Sequence, residues 1–107
     1  MNDRNIQKLS GALQRTVALL QKHGERRWAF KLEGYLEFLR AGDLAAIDGL
    51  LGTYGGMGSF NDLYLCAQNG HQLEVTETTS VNQNLSRLRS EMWELATEVR
   101  RHNLTAK

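Results

Sequence analysis

The sequence predicts a mainly α fold, a bundle of about four helices with a short β-hairpin or extended loop before the last of them. Three observations carry that expectation. Apolar residues recur at steps of three and four through most of the 107 residues, glycines fall at the ends of those runs, and proline is absent. Glycine is left as the strong punctuation of the chain.

The first helix rests on Ile6, Leu9, Leu13, Val17 and Leu20, which line one helical face while Arg4, Lys8, Arg15 and Lys22 fall mainly elsewhere. Gly24 is expected to end it. Glycine accepts the left-handed conformation that closes a helix, and Lys22 and His23 bring positive charge to the last turn, where the helix dipole favours it. A second helix is expected from Glu25 to near Ala41, with Trp28, Leu32, Tyr35, Leu36 and Leu39 on its inner face and Gly42 as its stop. Asp43 is then an N-cap for a short third helix carrying Leu44, Ile47, Leu50 and Leu51, since its carboxylate can accept from the free first-turn amides.

From Leu63 to Val75 the pattern changes to "LYLCAQNGHQLEV". Its Asn69-Gly70 pair suits a tight hairpin between two short extended segments, and a bare loop with one strand-like turn is the rival reading. Beyond Thr76, the residues Val81, Leu85, Leu88, Met92, Leu95 and Val99 form a heptad-like stripe for the last helix. The stripe suits a monomer packed on its own helices or a homodimer through the last helix. Trp93 and Ala96 widen it beyond a strict seam, as a globular bundle requires.

Composition places the chain among ordinary globular domains: 41% hydrophobic and 23% charged residues give one domain over 1–107 with a single core. The lone Cys66 has no partner within the chain and points to a reducing compartment or a plain buried thiol. Thirteen basic against twelve acidic residues leave a formal charge of +1, which is no footprint for nucleic acid or anionic lipid. The opening "MNDRNIQKLSGALQRT" lacks the apolar core of a signal peptide, and no stretch approaches a membrane span. The expected location is cytoplasmic.

The stretch "GTYGGMGSFNDL", Gly52 to Leu63, holds four of the ten glycines. A phosphate loop would want a lysine and a hydroxyl residue beside the glycines, and no lysine lies between Lys31 and Lys107. A dinucleotide fingerprint would follow a strand and open a helix, whereas here a helix precedes and an extended segment follows. Gly52, Gly55, Gly56 and Gly58 instead let the chain turn sharply, with Tyr54, Met57 and Phe60 plugging the bundle's end or standing out as contacts. Ser59, Asn61 and Asp62 can bond to neighbouring amides.

Catalytic patterns are sparse. Cys66 and His71 would face each other across an Asn-Gly hairpin as a thiol nucleophile and its base, yet nothing supplies an oxyanion site. Cys66, His23, His71 and His102 lack the short paired spacing of structural zinc, so neither metal nor cofactor is expected. Glu91, Glu94 and Glu98, interleaved with Arg87, Arg100 and Arg101, read as solvated pairs at helical spacing. Arg26, Arg27 and Lys31 begin the second helix and Arg100, Arg101 and Lys107 close the chain, but acids dilute both clusters. The segment after Gly42 is too apolar and acidic for a recognition helix.

Through "GMGSFNDL", "NGH" and "VNQNLSRLRSEMWELA" the chain resembles, from about Trp28 to Ala96, a family of small bacterial proteins of unknown function. It departs from the family pattern at Tyr64 and Cys66, where more aliphatic residues are the rule. Domains of this kind are often similar in role to immunity proteins. The resemblance therefore implies a non-catalytic immunity protein or antitoxin that binds a cognate toxin or effector protein, with Tyr54, Met57, Phe60, Asn61, Asp62 and His71 as contacts. Aromatic, amide and acidic side chains on a stiff loop are the residue types that anchor specific interfaces. The alternative is a small hydrolase or transferase using Cys66 and His71.

Overall fold

The structure, a computed structural model, describes residues 3–55 and 57–105. Helix α1 spans Asp3–Lys22, α2 Arg26–Arg40, α3 Ala45–Gly52 and α4 Thr78–Thr105. Between α3 and α4 lie three single 3₁₀ turns, Phe60–Asp62, Ala67–Asn69 and Val75–Glu77. α1 packs on α2 and α4, and α3 packs on the same two. The helices thus form a four-membered ring in chain order, a bundle as the periodicity implies.

Both glycine stops act through the same geometry. Gly24 (φ +77°) and Gly42 (φ +84°) are left-handed. The next residues reach back five positions, Glu25 N–H to the Leu20 carbonyl at 2.8 Å and Asp43 N–H to Phe38 at 2.9 Å. These are Schellman closures, and they satisfy carbonyls that a helix end otherwise leaves bare. Glu25 is the cap of α2 and not its first turn, its carboxylate accepting from Trp28 N–H at 3.0 Å. Asp43 sits one residue further from α3 than a standard N-cap, and its side chain accepts from Ala45 N–H at 3.0 Å.

The core follows the predicted faces. Leu9, Leu13, Val17 and Leu20 of α1 are buried against Trp28, Leu32, Leu36 and Leu39 of α2 and Leu85, Met92, Ala96 and Val99 of α4. Of the α4 stripe, Leu85, Met92 and Val99 enter this core, Leu88 is buried, and Val81 and Leu95 are half-buried at its edge. α3 comes so close to α2 that a Cβ on Gly49 would stand 2.7 Å from Tyr35 Cε1. No larger residue fits there without displacing the ring.

No hairpin forms before α4, and the described residues contain no strand. The Asn69-Gly70 pair ends a 3₁₀ turn instead, Gly70 taking φ +89°. The reason lies in where the backbone groups go. The Leu65 amide and carbonyl are both taken by the Asn82 side chain of α4 at 2.8 Å each, and Gln72 N–H donates to the His23 carbonyl at 2.8 Å. The two would-be strands spend these groups on Asn82 of α4 and on the turn after α1, while His71 N–H donates to the Cys66 carbonyl at 3.1 Å and closes a turn in place of a ladder. Gly56 and Lys107, invoked in the sequence reading, lie outside the described residues.

Candidate interaction site at the glycine-rich corner

The corner begins where α3 ends. Thr53 Oγ1 donates to the Leu50 carbonyl at 2.7 Å, and Phe60 N–H returns to the Thr53 carbonyl at 2.9 Å, closing the loop on itself. Gly58 holds φ +77°, a conformation costly to any residue with a Cβ. Its N–H donates to Asp62 Oδ2 at 2.7 Å. Asn61 uses both ends: its amide N–H donates to Ser59 Oγ at 3.3 Å and its side-chain Nδ2 to the Tyr54 carbonyl at 2.8 Å. Ser59 and Asp62 thus accept amides of the turn as expected, Asn61 instead donates from its side chain to a carbonyl, and the loop is stiffened from within.

Packing fixes the corner to the bundle. Phe60 is fully buried, its ring tilted on Trp28 at 5.2 Å and edge-on to Tyr54 at 5.6 Å. Tyr54 in turn lies 5.0 Å from Trp93 and donates its hydroxyl to the Arg89 carbonyl at 2.7 Å. Arg89 Nη1 donates to the carbonyls of Phe60 and Leu63, both at 2.9 Å, with the guanidinium 5.8 Å from the Phe60 ring centre. Burial pushes the Tyr54 hydroxyl well above its ordinary range, against the pull of the Arg89 charge. Burial likewise lowers the Arg89 guanidinium, opposed by Tyr54 and Asp62. Both groups keep their ordinary charge at neutral pH.

The six predicted contact residues divide. Met57 is fully exposed at the apex, and Asn61 and Asp62 are exposed on the flank. Tyr54 is half-buried, and Phe60 is a core residue that shapes the corner from inside and offers no surface. His71 stands apart and lines neither of the two shallow grooves beside the corner. On the α4 side a groove of about 540 Å³ is walled by Tyr54, Asn61, Ser86, Ser90, Trp93 and Glu94. On the α2 side lies a second, of about 430 Å³.

His71 belongs to a latch between the α1–α2 turn and the segment before α4. Its Nδ1 accepts from the Cys66 N–H at 3.1 Å, so the ring proton sits on Nε2, which donates to Glu25 Oε1 at 2.9 Å. The same carboxylate caps α2 through Oε2. Burial raises the Glu25 carboxyl, but the hydrogen bonds from His71 and Trp28 and the charge of Arg27 prevail and hold it below its ordinary value. Next to it the buried His23 exchanges two bonds with Gln72: Nδ1–H to the Gln72 carbonyl, and Gln72 N–H to its own carbonyl, both 2.8 Å. A base for the Cys66 thiol would need the very lone pair that the Cys66 amide holds. Among the described residues no three His, Cys, Asp or Glu side chains gather as a metal site.

Sequence reasoning missed Arg89, Asn82 and the His23–Gln72 pair. Arg89 had a signal: it follows Leu85 by four residues and precedes Trp93 by four, placing a cation on the apolar side of α4. Glu91 and Glu98 do pair with arginines, yet Glu91 meets Arg15 of α1 at 2.6 Å and Glu98 meets Arg101 three residues on at 2.9 Å.

A family model described as Domain of unknown function (DUF6966) matches residues 21–74. The match starts and stops at the latch and leaves out α4, which the expected span to Ala96 had included. No curated protein and no solved structure matches the chain.

Proposed function

The chain belongs to this family, the domain of unknown function DUF6966, and we propose that it is a non-catalytic protein-binding domain. Most concretely it is a bacterial immunity protein or antitoxin that occludes a cognate toxin or effector in the cytoplasm. The observation that carries this reading is the corner: a loop closed by its own hydrogen bonds, with a fully exposed Met57 at its apex between two grooves. A pre-stiffened projection binds without the entropy cost of ordering a mobile loop. Thioether and aromatic side chains at its flanks are the types that dominate interface energy. No helix among the described residues is long and apolar enough to cross a membrane.

The test is a binding assay with the product of the adjacent gene, by size exclusion and calorimetry. A stoichiometric complex is expected, weakened at least about tenfold by Met57→Ala with Asn61→Ala, since central interface truncations cost about 1–2 kcal/mol or more each. Absence of any complex, or one indifferent to both substitutions, overturns the reading. Phe60 is unsuited to this test, because its removal opens the core.

A further inference from the structure

The α2 side of the corner carries an arrangement that no sequence motif announces. Arg27 and Lys31, one helical turn apart on α2, face Gly58, Ser59 and Met57 across the shallow groove of about 430 Å³. No lysine stands beside the glycines in sequence, yet folding supplies Lys31 from α2. Its ammonium is held 5.1 Å over the Trp28 ring, which also lines the groove. Among the described residues neither cation lies within ion-pair distance of a carboxylate, whereas Arg15, Arg100 and Arg101 all have one; Arg27 acts on Glu25 only from beyond that distance. Ser59 Oγ accepts the Asn61 N–H, which leaves its own O–H to donate. The corner's acid, Asp62, is not among the residues lining this groove, and its Oδ2 is engaged by the Gly58 N–H at 2.7 Å.

We propose that this groove receives a carboxylate side chain from an acidic segment of the partner protein, with Arg27 and Lys31 as its counter-charges and Ser59 as a donor. The inference rests on the protein-binding reading above and adds the chemistry of the partner. A phosphate fits less well. Phosphate cradles converge free backbone amides on the ligand, and here the Gly58 N–H is already held by Asp62 at 2.7 Å. The apolar Met57 at the rim suits a peptide that continues past its acidic residue.

The probes are a hexaglutamate peptide and inorganic phosphate, each titrated at low salt into ¹⁵N-labelled protein. The peptide is expected to shift the amides of Arg27, Lys31, Gly58 and Ser59 saturably and to weaken as salt is added. Arg27→Gln with Lys31→Gln should reduce that binding about tenfold, because both counter-charges are lost at once. The variant's other resonances should stay in place, because both side chains are exposed. Absent shifts, shifts that persist undiminished in the double variant, or phosphate binding tighter than peptide each overturn the proposal. The adjacent-gene complex separates the two readings. A complex indifferent to the double variant sinks the acidic-segment inference alone, while peptide binding without any complex supports the groove and sinks the immunity reading.

Discussion

Glu25 performs two tasks with one carboxylate, capping α2 through Trp28 N–H and receiving the His71 Nε2–H. Because its folded value lies below the ordinary 4.5, its contribution to stability is complete above that value and drains away as pH falls through the lower folded one. The urea midpoint of the native chain should therefore drop, as pH falls below the ordinary 4.5, more steeply than that of Glu25→Gln. At neutral pH the variant should already be about 1 kcal/mol less stable, the usual worth of a side-chain cap. Parallel pH profiles for the two proteins would contradict the assignment. None of this was legible in the chain, where Glu25 reads as the first residue of a helix and His71 as a hairpin histidine 46 residues away. Helical spacing reports neighbours within one element and is silent about a bond between two turns.

At the scale of elements, the faces of all four helices were readable, because burial of an apolar stripe is what makes a short helix stable in the first place. The corner was only half readable. Its capping residues follow from local chemistry, since Ser, Asn and Asp bond to amides a few positions away. Phe60 does not: whether an aromatic after a glycine cluster turns in or out depends on Trp28 and Arg89, which no local rule supplies. The failed hairpin has the same origin, its backbone groups having been claimed by Asn82 and His23. Arg89 is the joint between α4 and the corner, and Arg89→Lys should expose how much it holds. A lysine cannot match the guanidinium's planar array of donors, so loss of one or both bonds to Phe60 and Leu63 should cost about 1–2 kcal/mol in urea unfolding. Amide exchange at Gly58 and Phe60 should quicken while α1 and α2 keep their protection. Uniform exchange across the molecule would mean that the corner is not separately fastened.

The folded molecule extends beyond the stretch that the family model matches. Residues 21–74 carry α2, α3 and the corner, but Leu9, Leu13, Leu85 and Met92, which complete the core, come from α1 and α4 outside that span. A fragment of residues 21–74 should consequently be unfolded, with a coil-like far-ultraviolet spectrum and narrow amide dispersion. At that size a domain is marginal even with its core intact. A cooperatively melting fragment would show that the flanking helices are dispensable. The helix count was visible from the period; the way two distant turns clasp to shut the middle of the chain was not. The corner's own closure sets the tempo of the proposed encounter. With the projection already rigid before a partner arrives, docking needs no rearrangement. Substitutions on that surface will then reveal themselves in how long a complex lasts far more than in how quickly it assembles.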